Sequence, residues 1–183
     1  MIRGKYVIIA IFALALAATG FAGWYRYQQS RQAIALWGPV HAGRMRNAAE
    51  VEVWRIADAD AQGEAVVDPA GAQAKIKSRR VLQNIPDLTY IRRAFLTDAF
   101  FLWDEAPSDC APHWTFVLQF RASGETTTLW IDDACDRVVL AESSASGTMN
   151  TPLLNSVRRF LDRNGPSEKP APDADKKKPA STS

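Results

Sequence analysis

"WTFVLQFRASGETTTLWID", residues 114–132, is the stretch that decides the fold. Trp114, Phe116, Leu118 and Phe120 recur at every second position, and so do Thr127, Leu129 and Ile131. In an extended chain successive side chains point to opposite faces, so each set lines one side of a strand. Ser123-Gly124 between them has the chemistry of a tight hairpin turn. Two registers place both apolar sets on the same side. One has a four-residue loop at 121–124, the other a two-residue Ser123-Gly124 loop.

The open end of this hairpin leads to the only two cysteines of the chain, Cys110 and Cys135. With the four-residue loop, Cys110 falls opposite Cys135, and directly opposed antiparallel residues have Cα atoms about 4.5–5.5 Å apart, within disulfide reach. With the two-residue loop the cysteines are diagonal neighbours, and Pro112 must bend the chain to bring them together. Either register brings both sulfurs into one neighbourhood, so the expectation is a structural disulfide. Loop entropy gives such a crosslink a value of about 3–4 kcal/mol.

Three other chemistries compete for the same residues. Cys110, His113, Cys135 and one of Asp132, Asp133 or Asp136 could ligate zinc, but the paired close spacings of zinc ribbons and fingers are missing. Cys110 could act as a nucleophile with His113 as base. Ala111-Pro112 separates the two, and nothing around them marks an activated thiol. Asp132, Asp133 and Asp136 lack the regular alternation and glycine of a calcium loop. The expectation is therefore no catalytic residue, no metal and no cofactor.

Further strands are expected at 50–56, where Val51 and Val53 alternate with Glu52 and Trp54, at 74–85, and at 137–142. Residues 57–73 are rich in turn formers and read as a loop, and 99–103 as a short buried strand. Helix-start chemistry at Pro86-Asp87, followed by Leu88, Ile91 and Phe95, predicts a helix over 87–97. The clearest helix is 152–163. Thr151 is its expected cap, and Leu153, Leu154, Val157, Phe160 and Leu161 form one apolar stripe that must dock on a sheet. His41 lies on a short helix starting at Pro39 and reads as structural.

At the amino end, residues 7–23 carry no charge and are followed by Trp24, Tyr25, Arg26 and Tyr27. That run approaches the roughly 20 residues that cross a hydrocarbon core as helix. The aromatic cluster with Arg26 suits the headgroup layer, where amphipathic rings and snorkelling cations settle. A cleaved signal peptide is the rival, with Ala15-Leu16-Ala17 as a small-residue cleavage pattern. The apolar run continues past that pattern into an aromatic belt, which favours an uncleaved anchor. Arg3 and Lys5 favour a cytoplasmic amino terminus, against Arg26 and Arg31 on the other side. The cysteine pair settles the reading toward an oxidising compartment.

The formal net charge of +2 hides an asymmetry, since no acidic residue precedes Glu50. From Glu50 onward the chain is mildly acidic, which excludes a general nucleic-acid binder with a broad basic face. Residues 165–183 hold Pro, Ser, Ala and charge without an aromatic or branched aliphatic residue, and read as a disordered tail.

The resulting fold class is α+β: a single N-terminal transmembrane helix, then a small domain whose antiparallel sheet is covered by helices on one face. The expected organisation is an anchor at 1–29, a juxtamembrane helical segment at 30–48, the α+β domain at 49–164 and the tail at 165–183. The stretches "LWGPVHAGRMRNAAEVEVWRI", "LTYIRRAFLTDAFFLW" and "HWTFVLQF…LWIDDACDRVVL" resemble a family of small membrane-anchored or secreted bacterial envelope proteins, over roughly residues 36–140. The resemblance implies an envelope location and carries no activity, substrate or site residue.

Together these readings point to a non-enzymatic bacterial envelope protein in the inner membrane, its domain facing the periplasm, with a binding or scaffolding role. Its expected partners are the lipid bilayer and another envelope protein, with no nucleic acid. The alternative is a thiol- or metal-dependent enzyme centred on Cys110, His113 and Cys135.

Overall fold

The computed structural model describes residues 3–57, 63–83, 85, 88–105 and 110–166. The expected helix start at Pro86-Asp87 and the expected tail beyond Pro166 lie outside the described residues. The order of elements is α1 (Arg3–Gln28), α2 (Arg31–Trp37), α3 (Pro39–Asn47), β1 (Glu50–Ala57), β2 (Glu64–Val67), β3 (Gln73–Leu82), α4 (Leu88–Ala94), a 3-10 turn (Asp98–Phe100), β4 (Phe116–Ala122), β5 (Glu125–Asp132), β6 (Arg137–Leu140), β7 (Ser146–Thr148) and α5 (Thr151–Asn164).

The seven strands form one antiparallel sheet in the order β2-β3-β1-β4-β5-β6-β7. β1 lies between β3 and β4, so the connection through α4 crosses from one side of β1 to the other. The α+β class is thus established, with more strands than the sequence indicated. Residues 57–73 were expected to be a loop, yet β2 pairs with β3 there, from Glu64↔Ile76 to Val67↔Gln73. Residues 99–103 were expected to be a strand. They form instead the 3-10 turn, followed by an isolated bridge between Phe101 and Met149.

Alternation along the strands sorts apolar residues into two cores. Val51, Val53, Leu82, Phe116, Leu118, Phe120, Leu129, Ile131, Val138 and Leu140 share one cluster with apolar residues of α2, α3, α4 and α5. Trp54, Ile76, Val117 and Trp130 form a second, smaller cluster that no helix joins. Helices therefore supply the large core on one face. On the other face Trp114 sits edge-to-face on Trp130, and the Arg79 guanidinium lies 4.6 Å from the centre of the Trp54 ring.

The segment at 30–48 belongs to that large core: Ala33, Trp37, Ala42, Met45 and Ala48 are all buried in it. α2 does not continue α1. The chain turns at Gln29-Ser30, and the new helix aims Ala33 and Trp37, one turn apart, at the domain. The Trp37 indole N–H donates to the Phe95 carbonyl at 2.7 Å. His41 pairs through Nδ1 with the buried Thr127 hydroxyl, 3.1 Å away, which accounts for a polar residue on the core face of β5.

α5 follows its apolar stripe, with Leu154, Val157, Phe160 and Leu161 buried. Its N-cap is Asn150 rather than Thr151, whose hydroxyl donates instead to Asp136 Oδ2 at 3.2 Å. α1 differs from every other element. It is long and apolar enough to cross a membrane, and none of the residues in its most apolar window is buried.

Candidate functional site

The β4–β5 hairpin adopts the two-residue turn, with Phe116↔Ile131 at one end and Ala122↔Glu125 at the other. Ser123 (φ 53°) and Gly124 (φ 81°) both take positive φ, as a turn matching the right-handed twist of its strands requires. The opposed-cysteine register is therefore not the one formed. The chain leaves the ladder after Thr115, whose N–H donates to Ile131 O at 2.9 Å, and residues 110–114 have no strand structure. Cys135 lies in the turn that joins β5 to β6. Cys110 and Cys135 nevertheless sit at disulfide distance, their Cα atoms 6.0 Å apart.

Asp132 organises this neighbourhood. It ends β5, is fully buried, and accepts the Cys135 N–H at 3.0 Å through Oδ1. Its Oδ2 accepts the His113 N–H at 3.0 Å and Arg137 Nη2 at 3.2 Å. A buried carboxylate is costly unless donors surround it, and two backbone N–H groups plus a guanidinium meet that demand. The same bonds fix the backbone at Cys135 and at His113, three residues after Cys110.

The other acids of this stretch are also engaged. Asp133 pairs with Arg158 of α5 at 3.2 Å and accepts the Thr115 hydroxyl, and Asp136 accepts the Thr151 hydroxyl. His113 uses its backbone in the Asp132 contact, and the residue is exposed. Among the described residues no group of three or more His, Cys, Asp or Glu side chains converges to hold a metal ion. Within a disulfide neither sulfur is a thiolate, which is the form that attacks carbon or ligates zinc. The arrangement acts mechanically. Residues 110–113 stay exposed, and Trp114 alone reaches the second core, where it donates to Asp68 Oδ2 at 2.7 Å and lies under the Arg137 guanidinium, 5.5 Å from the ring centre.

One small cavity of about 180 Å³ is lined by Leu36, Phe101, Leu102, Trp103, Glu105, Arg137, Ser146, Gly147 and Thr148. Small-molecule sites run to roughly 300–1,000 Å³. Its walls offer one carboxylate, one guanidinium and hydroxyls, but no histidine or cysteine that could activate a nucleophile.

At the end of α1, Trp24, Tyr25 and Tyr27 are 56%, 52% and 59% exposed, and Arg26 occupies the last turn. Phe21 lies 5.9 Å from Trp24 and 6.3 Å from Tyr25, ring centre to ring centre, so aromatic surface collects at one end of the helix. Compared with known proteins, the chain matches no family model, no curated protein and no solved structure. The resemblance to envelope proteins thus gains no further support, and the functional reading rests on the residues themselves.

Three structural positions escape sequence reasoning. In the sequence Asp132 stands out only as a ligand candidate, Asp68 only as part of a loop, and Asp98 not at all. Asp98 accepts the N–H groups of Gln32 at 3.2 Å and Ala33 at 2.8 Å, capping α2 from 65 residues away. A short-range capping pattern cannot reveal a cap supplied from a distant segment.

Proposed function

We propose that the protein is a single-pass bacterial envelope protein, anchored in the inner membrane by α1, with its disulfide-linked α+β domain in the periplasm and a role in binding or scaffolding another envelope component. One observation carries the reading: the domain completes its core without α1, leaving that helix with no apolar surface to cover it. A hydrocarbon phase supplies what water cannot. The apolar run passes Ala15-Leu16-Ala17 and ends in the aromatic cluster at Trp24, Tyr25 and Tyr27, which favours an anchor over a cleaved leader. The cysteine pair supports an oxidising compartment.

Alkaline carbonate extraction tests the anchor, and mild crosslinking in intact cells tests the binding role. The expected results are a chain retained in the membrane pellet and one reproducible crosslinked partner. Extraction with the soluble proteins would overturn the first part, and repeated absence of any crosslinked partner the second.

A further inference from the structure

We propose that the segment carrying Trp103 is a second membrane-contact surface, so that the domain rests on the bilayer beside the exit of α1 instead of swinging from it. The proposal builds on the reading of α1 as an anchor.

The connection starts where α1 ends. Gln29 and Ser30 still donate back to Tyr25 O at 3.1 Å and Tyr27 O at 3.2 Å, so the exit is wound and not a free tether. Gln29 O accepts the Asp98 N–H at 2.8 Å, and the Asp98 carboxylate takes the first free N–H groups of α2. Three hydrogen bonds to one residue thus clamp the 3-10 turn against the exit of the helix.

Asp98 then passes the connection on. Its carbonyl accepts the Trp103 indole N–H at 2.9 Å, while the ring packs 5.2 Å from Phe101 and remains 37% exposed. Two hydrogen bonds and one residue separate Gln29 O from the Trp103 nitrogen, a span on the order of 10 Å. The headgroup region is roughly 5–8 Å deep on each side of the hydrocarbon core. If Trp24 and Tyr27 occupy that layer, the clamp holds Trp103 at its edge. An indole with its donor satisfied and its ring open suits that boundary.

Charge identifies the kind of surface. Arg26, Arg31 and Arg93 are exposed around the clamp, and so are Asp104 and Glu105 just after Trp103. With both signs present, the contact calls for the amphipathic interface itself and not for an anionic lipid.

The test uses the full chain in phosphatidylcholine vesicles doped with a phosphatidylcholine analogue bearing a photoreactive diazirine at headgroup depth. After irradiation, lipid adducts are mapped by peptide mass spectrometry. Val67 gives the background, being an apolar residue 64% exposed on β2, the sheet edge opposite the β7 edge to which Leu102 is bonded. The expected result is adducts at 24–27 and at 98–103, both above the Val67 background. Adducts at 24–27 with only background at 98–103 would overturn the resting contact and leave the anchor intact. Background at 24–27 as well would overturn the anchor, and this inference with it.

Discussion

Phe12 and Phe120 are the same residue in opposite surroundings. Phe12, within α1, is 67% exposed, whereas Phe120, on the core face of β4, is fully buried. The contrast extends to their neighbours: Ile9, Ile11, Leu14 and Leu16 stay open, while Leu118, Leu129 and Ile131 are enclosed. Burying apolar surface stabilises a fold by about 25 cal/mol per Å² removed from water, and only the second group obtains that gain within the chain. The difference teaches that hydrophobicity alone does not distinguish core from anchor. Periodicity does. The core residues alternate with a polar or opposite-face partner, whereas α1 is apolar on all sides and so has no face that water would suit.

The contrast can be broken most directly by removing α1. Deleting residues 3–28 should move the protein wholly to the soluble fraction while the domain melts at an unchanged temperature. A collapse of the melting transition would show that α1 belongs to the domain core. Alanine substitution sharpens the point. Phe120→Ala should cost about 3–5 kcal/mol in denaturant unfolding, and Phe12→Ala should leave the domain transition where it was. Equal losses would erase the distinction.

The two cores of the domain make a subtler comparison, because the disulfide serves the smaller one. The double variant Cys110→Ala with Cys135→Ala should lose about 3–4 kcal/mol of stability. Its tryptophan emission should shift to the red as Trp114 lifts from Trp130. An unshifted spectrum would mean that Asp132 and Asp68 hold the segment without the crosslink. Among the destabilising changes the smallest loss is expected at Gly147, where an added Cβ would lie 2.9 Å from Phe101 Cδ1 and 3.0 Å from Leu36 Cδ2. Gly147→Ala should destabilise by about 1–3 kcal/mol through overpacking, measured in the same unfolding assay.

Much of this was legible where the pattern is local. The alternation in 114–132 gave the hairpin, the stripe in 152–163 gave α5, and the uncharged run gave α1. The pairing of Cys110 with Cys135 followed from the hairpin alone, although the register stayed open between two loops. Apolar alternation is satisfied by either loop, and the choice fell to positive φ at Ser123 and Gly124. Short edge strands were hidden for a different reason. β7 (Ser-Gly-Thr) has no apolar residue and β2 buries none of its own, whereas the equally short β6 carries the buried run Val138-Val139-Leu140.

Non-local polar contacts were the hardest to foresee. Asp98 caps a helix 65 residues earlier in the chain, and Trp114 finds its acceptor in Asp68, 46 residues away. Nothing at Asp98 or Asp68 distinguishes it from a solvated surface acid until the fold brings its partner close. The turn at Gln29-Ser30 has neither glycine nor proline to mark it. The clamp from Asp98 supplies what those residues would have signalled.

The central claim is an anchored chain with an oxidised domain, and intact-mass spectrometry tests both halves in one experiment. Freshly isolated membranes would be alkylated with and without reductant, and the whole chain weighed. The account predicts a chain in the membrane fraction that retains residues 1–28 and takes two alkyl groups only after reduction. A chain shortened at its amino end, or one labelled at both cysteines without reductant, would contradict it.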